Sequence, residues 1–183
     1  MLQWLTRRPA SRGKPGHVYG AVVAAARRPE FYRDLGVPDT PEGRFELIAL
    51  HLFLVIERIK RYEPDGEKIA QRTLETFVTD MDDCMREMGV GDLTVPKRVK
   101  RAAAGFYERA GAYRAGLAQP SDQLLSDAVG RYVLISEHQT PQAEALAVYM
   151  RVTAAHIAQI PQDDLVSGRF QLDLVVEPDV RTP

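Results

Sequence analysis

Four carboxylates crowd one short stretch, Asp80, Asp82, Asp83 and Glu87, and their types are those that hold a divalent cation. On a helix, Asp83 and Glu87 stand four apart and share a face, so they could ligate Mg2+ through oxygen, as aspartate-rich motifs do in all-α isoprenoid synthases. The spacing fits that chemistry poorly. Arg86 puts a cation where a further carboxylate is wanted, no second acidic set appears later, and 183 residues is short for that fold. Interleaved with the acids are Met81, Met85 and Met88, at spacings of four and three. Three thioether side chains on one helical face form a soft apolar surface that adapts to irregular partners, or else fill a core. Beyond a short glycine-containing connection come Lys97, Arg98, Lys100 and Arg101.

The sign of the charge therefore reverses across one turn. Between Tyr62 and Asp92 nine acidic residues face three basic ones, whereas between Lys97 and Arg114 six basic residues face the single acid Glu108. Either the two stretches neutralise each other on adjacent helices or the basic one meets an outside partner. A basic helix start is electrostatically awkward, since the helix dipole already places partial positive charge there. Something anionic is expected to compensate: Asp92, the acidic tail with Asp163, Asp164, Asp173, Glu177 and Asp179, ribosomal RNA, or anionic lipid headgroups. The expected partner-binding residues are Met81, Met85, Met88, Lys97, Arg98, Lys100 and Arg101.

The remaining chemistry-bearing residues are isolated. His51 lies on a stripe with Arg44, Leu47, Leu54, Val55 and Arg58 and has no second ligand at metal spacing, so it reads as a satisfied buried histidine rather than a haem or metal ligand. His138 falls in a loop and His156 in an alanine-rich segment. Cys84 is the only cysteine, which leaves no internal disulfide and suits a reducing compartment. There is no glycine-rich phosphate loop, serine elbow or cysteine-histidine pair. No cofactor, no metal and no catalytic residue is expected.

The elements that position these residues are helices. Thr40 caps and Pro41 opens a helix to about Tyr62 whose apolar residues, Phe45 to Ile59, run most of the way round, so it belongs at the centre. A first helix spans about His17 to Arg28 and stops at Pro29. A third, about Glu67 to Met88, carries Leu74, Phe77, Val78, Met81, Met85 and Met88 on one face and stops at Gly89. A fourth, about Pro96 to Leu117, carries Val99, Ala103, Phe106, Ala110, Tyr113 and Leu117, and makes a helical hairpin with the third. Ser121 caps a fifth and Thr140 with Pro141 opens a sixth. The expectation is an all-α, single-domain bundle of about six helices with flexible termini: a basic segment 1–16, a helical domain 17–160 and an acidic tail 161–183, mobile or docked.

Charge is balanced overall, 24 basic against 25 acidic residues, so nothing draws the whole molecule to nucleic acid. The apolar run from Phe45 to Ile56 is broken by Glu46 and His51 and is too short to span a bilayer. Leu2, Trp4 and Leu5 precede Arg7, Arg8, Arg12 and Lys14, the reverse of a secretory signal, which makes the cytoplasm the expected location. Trp4 could dip into the membrane face.

Several of these motifs together resemble one family. FYRDLGVPDTPEGRFELIALHLF from Phe31, DMDDCMREMGVGD from Asp80, VPKRVKR from Val95, and Gly105, Phe106 and Tyr107 are similar to the ubiquinol-cytochrome c reductase chaperone family. The resemblance spans roughly residues 17 to 150. It implies an all-α protein that assists assembly of the cytochrome bc1 complex by binding newly made cytochrome b. The alternatives from the residues themselves are a helical adaptor for soluble partners and, more distantly, the Mg-dependent isoprenoid-type enzyme. Peripheral contact with membrane or ribosome is compatible with the first reading.

Overall fold

Eleven consecutive residues of one helix, Glu46 to Ile56, are buried, and the rest of the molecule is arranged around them. The computed structural model describes residues 13–136 and 139–173; Leu2, Trp4, Leu5, Arg7, Arg8, Arg12, His138, Glu177 and Asp179 lie outside the described residues. Eight helices occur among them: α1 (Lys14–Ala26), α2 (Pro29–Arg33), α3 (Pro41–Ile59), α4 (Gly66–Glu87), α5 (Val95–Leu117), α6 (Gln123–Tyr132), α7 (Pro141–Gln159) and α8 (Gln162–Val166). The all-α expectation holds, and α2 and α8, five residues each, add to the six helices anticipated.

Helix α3 starts where Thr40 and Pro41 require. The Thr40 hydroxyl accepts from the Gly43 N–H at 3.1 Å while Pro41 supplies a helical φ without an N–H to satisfy. Thr140 and Pro141 repeat the device at α7, with Thr140 accepting from the Ala143 N–H at 3.1 Å. Helix α4 closes as a Schellman turn: Gly89 takes φ 78°, Val90 N–H reaches the Met85 carbonyl at 3.0 Å, and Gly89 N–H reaches that of Arg86 at 2.9 Å.

Helix α3 touches α1, α4, α5, α7 and α8, so it is the hub. Leu47, Leu50, Leu52, Val55 and Ile59 on it are fully buried, each contributing about 1.5–3 kcal/mol of transfer free energy. Helices α5, α6 and α7 pack in sequence order on one side. At the α5–α6 crossing, a Cβ on Gly116 would lie 2.9 Å from the Leu125 backbone, a separation only glycine allows. The described part of the segment after Pro161 is docked: α8 packs on α1 and α3, burying Leu165, Val166 and Leu172, and Arg28 binds Asp173 at 2.7 Å. Among the described residues no helix is long and apolar enough to cross a membrane.

Candidate partner-binding groove

Phe77 on α4 is the point from which the groove is built. Its ring stacks on Phe45 of α3 at 5.7 Å, tilts against Phe106 of α5 at 5.9 Å and against Tyr19 of α1 at 6.1 Å. Those contacts tie four helices together and leave a recess on each side, since α3, α4 and α5 run alternately up and down. Towards the start of α3 and the end of α4 lies a hollow of about 280 Å³, walled by Phe45, Ile48, Met81, Met85, Met88, Arg98 and Ala102. Towards the other end of the same helices lies a larger one of about 660 Å³, lined by Phe53, Ile56, Leu74, Val78, Phe106 and Tyr107, with Glu57, Lys60, Gln71 and Arg114 at its rim.

The methionines divide. Met81 is buried and serves as core filler, Met85 is half-buried, and Met88 is half exposed at the end of the helix. All three border the same hollow, which lies between α3 and α4. The third wall was not legible: Tyr107, 62% exposed, comes from a helix whose sequence reads as strongly charged. The available signal was its position beside Phe106, one ring turning inward and the next outward at the edge of the apolar stripe.

The charged stretches do not pair with each other through ion pairs among the described residues. Arg86 instead binds Asp82 at 2.6 Å and Asp92 at 2.5 Å, so these two acids are already engaged within their own element and connection. On α5 the cations that find partners reach α3: Arg109 makes a two-pronged pair with Glu46 at 2.6 Å and Arg114 grips Glu57 at 2.8 and 2.9 Å. Arg109 also lies over the Tyr132 ring at 4.9 Å. Lys97, Arg98, Lys100 and Arg101 are exposed and form no ion pair among the described residues. Of the described tail acids, Asp164 is held by Arg169 and Asp173 by Arg28. Nor does α5 carry an acid in its first turn, and its N-cap Thr94 makes no side-chain cap.

The carboxylates of the acidic run point apart. Asp80 accepts the Tyr19 hydroxyl at 2.8 Å on the α1 side, and burial raises the pKa of its carboxyl; Asp82 turns to Arg86, and Asp83 is exposed. Among the described residues no three His, Cys, Asp or Glu side chains converge. Burial, with Asp80, Glu87 and Asp83 nearby, pushes the Cys84 thiol up to about 12, which keeps it protonated and unreactive. His51 is the satisfied core histidine that its stripe implied: Nδ1 donates to the Leu47 carbonyl at 2.7 Å and Nε2 accepts from the Tyr149 hydroxyl at 2.6 Å. His156 is exposed on α7.

The arrangement therefore offers adhesion: two apolar recesses in series, flanked by unpaired cations at one end. The sequence pattern of the ubiquinol-cytochrome C chaperone family matches residues 33–173. Ubiquinol-cytochrome-c reductase complex assembly factor 1 of Xenopus laevis is 22% identical over 167 residues, covering 90% of this chain and 83% of that protein. The crystal structure of the Cbp3 homolog from Brucella abortus superimposes with a TM-score of 0.79 at 37% identity, over 94% of this chain and 97% of that one. With the family pattern running from α2 through the docked tail, and a solved relative sharing both fold and sequence, this chain belongs to the ubiquinol-cytochrome c chaperone family.

Proposed function

We propose that this chain acts stoichiometrically as an assembly chaperone of the cytochrome bc1 complex, holding newly made cytochrome b in the α3–α4–α5 groove. The observation that carries the reading is the open apolar surface on both sides of the Phe45, Phe77 and Phe106 cluster: Leu74, Val78, Met85, Met88 and Tyr107 are left half-buried or exposed by an otherwise well-packed bundle. A water-exposed apolar cleft costs free energy unless a partner covers it, and transmembrane segments awaiting assembly need such cover. Methionine at one end suits segments of irregular shape. The relative named as a reductase complex assembly factor supports the same role. The chemistry is adhesion without turnover, carried by the helical bundle with its docked α8. The place of action is the cytoplasmic side, peripheral to the membrane.

The test is capture. Tagged chain carrying Val78→Glu and Tyr107→Glu, both on the open side of the groove, is expected to retain its melting temperature while recovering about tenfold less newly made cytochrome b, a charged side chain being costly to bury unpaired. Spectroscopic cytochrome b of the bc1 complex should fall in parallel while other haem proteins persist. Undiminished capture by these variants would dismiss the groove, and an intact bc1 complex in cells lacking the chain would favour an adaptor for soluble partners.

A further inference from the structure

The connection between α4 and α5 presents two large apolar side chains to water. Leu93 is 91% exposed and Met88 50%, on a turn whose backbone is held by the Gly89 and Val90 bonds to the end of α4 and by Thr94 N–H on the Gly91 carbonyl at 2.7 Å. Immediately after it stand Lys97, Arg98, Lys100 and Arg101. At 100° per residue these four spread over about 160° of the helix circumference, and Val95, Val99, Ala102 and Phe106 fall within about 60° on the opposite side, facing the bundle. Asp82 and Asp92 are held by Arg86, none of the four cations forms an ion pair among the described residues, and α5 has no acid in its first turn. The result is a tip with a greasy point and a cationic collar.

We propose that this tip is a peripheral membrane foot: Leu93 and Met88 enter the headgroup region of an anionic bilayer while Lys97, Arg98, Lys100 and Arg101 meet lipid phosphates. A nucleic acid would satisfy the cations and leave Leu93 in water, whereas a bilayer satisfies both. The foot also orients the molecule. Met88 and Arg98 border the methionine-lined hollow, so docking brings that end of the groove to the lipid surface, where membrane segments emerge.

The experiment is flotation of the full chain, with no client present, on vesicles of phosphatidylcholine alone and of phosphatidylcholine with phosphatidylglycerol. Flotation is expected only with the anionic vesicles and should weaken with salt. Each Lys or Arg changed to Gln at the four positions should reduce binding about fivefold, and Leu93→Asp about tenfold. Removing Arg61, Lys68 and Arg72, cations remote from the tip, should leave it unchanged. Equal flotation by Leu93→Asp, binding to neutral vesicles alone, no flotation at all, loss on Trp4→Ser with none on Leu93→Asp, or sedimentation with ribosomes that Leu93→Asp leaves intact would each overturn the proposal. Capture of detergent-solubilised cytochrome b by Leu93→Asp separates this inference from the groove: retained capture with lost flotation supports the foot as a device apart from client binding.

Discussion

Protonating His51 would place a cation between Leu47 and Tyr149 in the fully buried centre of the bundle, where both ring nitrogens are already committed. Burial is the main cause that lowers its pKa from 6.5 to about 4. The unfolded chain therefore binds the proton first, and stability rises with pH through the window between those values. Above about pH 6.5 the contribution is complete; as pH falls towards 4 it is lost, by about 3 kcal/mol in all. Urea unfolding at stepped pH should show this slope in the wild type, and His51→Gln should lose it; a slope unchanged by the substitution would place the titration elsewhere. The sequence discloses that His51 is buried, because its helical neighbours are apolar. It does not disclose Tyr149, which is 98 positions away and becomes a partner only once α7 crosses α3. A second residue shows the reverse case. Ile135, 72% exposed, sits at φ 53°, a region unfavourable to a β-branched side chain and open to Asn. Ile135→Asn should raise the melting temperature by about 2–4 °C, and a drop would show that packing elsewhere requires the isoleucine.

Elements were legible where one short motif decides them. The Thr40–Pro41 and Thr140–Pro141 starts and the Gly89 stop need only a cap, a ring and a left-handed residue, all readable in order. Helices α2 and α8 were not legible, since five residues complete barely more than one turn and show no period. Nor was the pairing of elements: the acidic α4 and basic α5 invited a mutual neutralisation, yet α5 spends its bound cations on Glu46 and Glu57 of α3. The sequence showed Glu46 as a break in an apolar run, and the structure gives the break its reason. Arg109→Leu alone leaves that carboxylate buried without a partner and should destabilise by about 3 kcal/mol, whereas Glu46→Leu with Arg109→Leu should recover most of the loss. Additive losses in the cycle would deny the coupling. Phe77 tests the four-helix junction in the same way. Phe77→Ala should cost about 3–5 kcal/mol and merge the two hollows of the groove, reducing client capture beyond what instability explains; a loss under 1 kcal/mol would show that the junction is held by the helices around it.

At the scale of the whole molecule, the all-α class and the central place of α3 follow from apolar periodicity, because a helix that is apolar nearly all round must be surrounded. What helical periodicity could not supply was the fate of residues 161–173, where the helical pattern fails after Pro161. Tertiary contact decides it. Leu165, Val166 and Leu172 are buried against α1 and α3, and the turn between them runs so close to α1 that a Cβ on Gly168 would lie 2.4 Å from the His17 carbonyl carbon. Gly168 also takes φ 70°, a conformation costly for other residues. Both constraints act on one atom, so Gly168→Ala should lift the segment from α1 while leaving every other core side chain in place. The expected loss is at least about 2 kcal/mol, read as a lower urea midpoint together with faster amide exchange confined to α1 and α8. If α8 alone exchanges faster and the midpoint holds, the segment is an appendage to the bundle; if α1 loosens with it, residues 161–173 belong to the cooperative unit that keeps the hub helix, and with it the floor of the groove, in place.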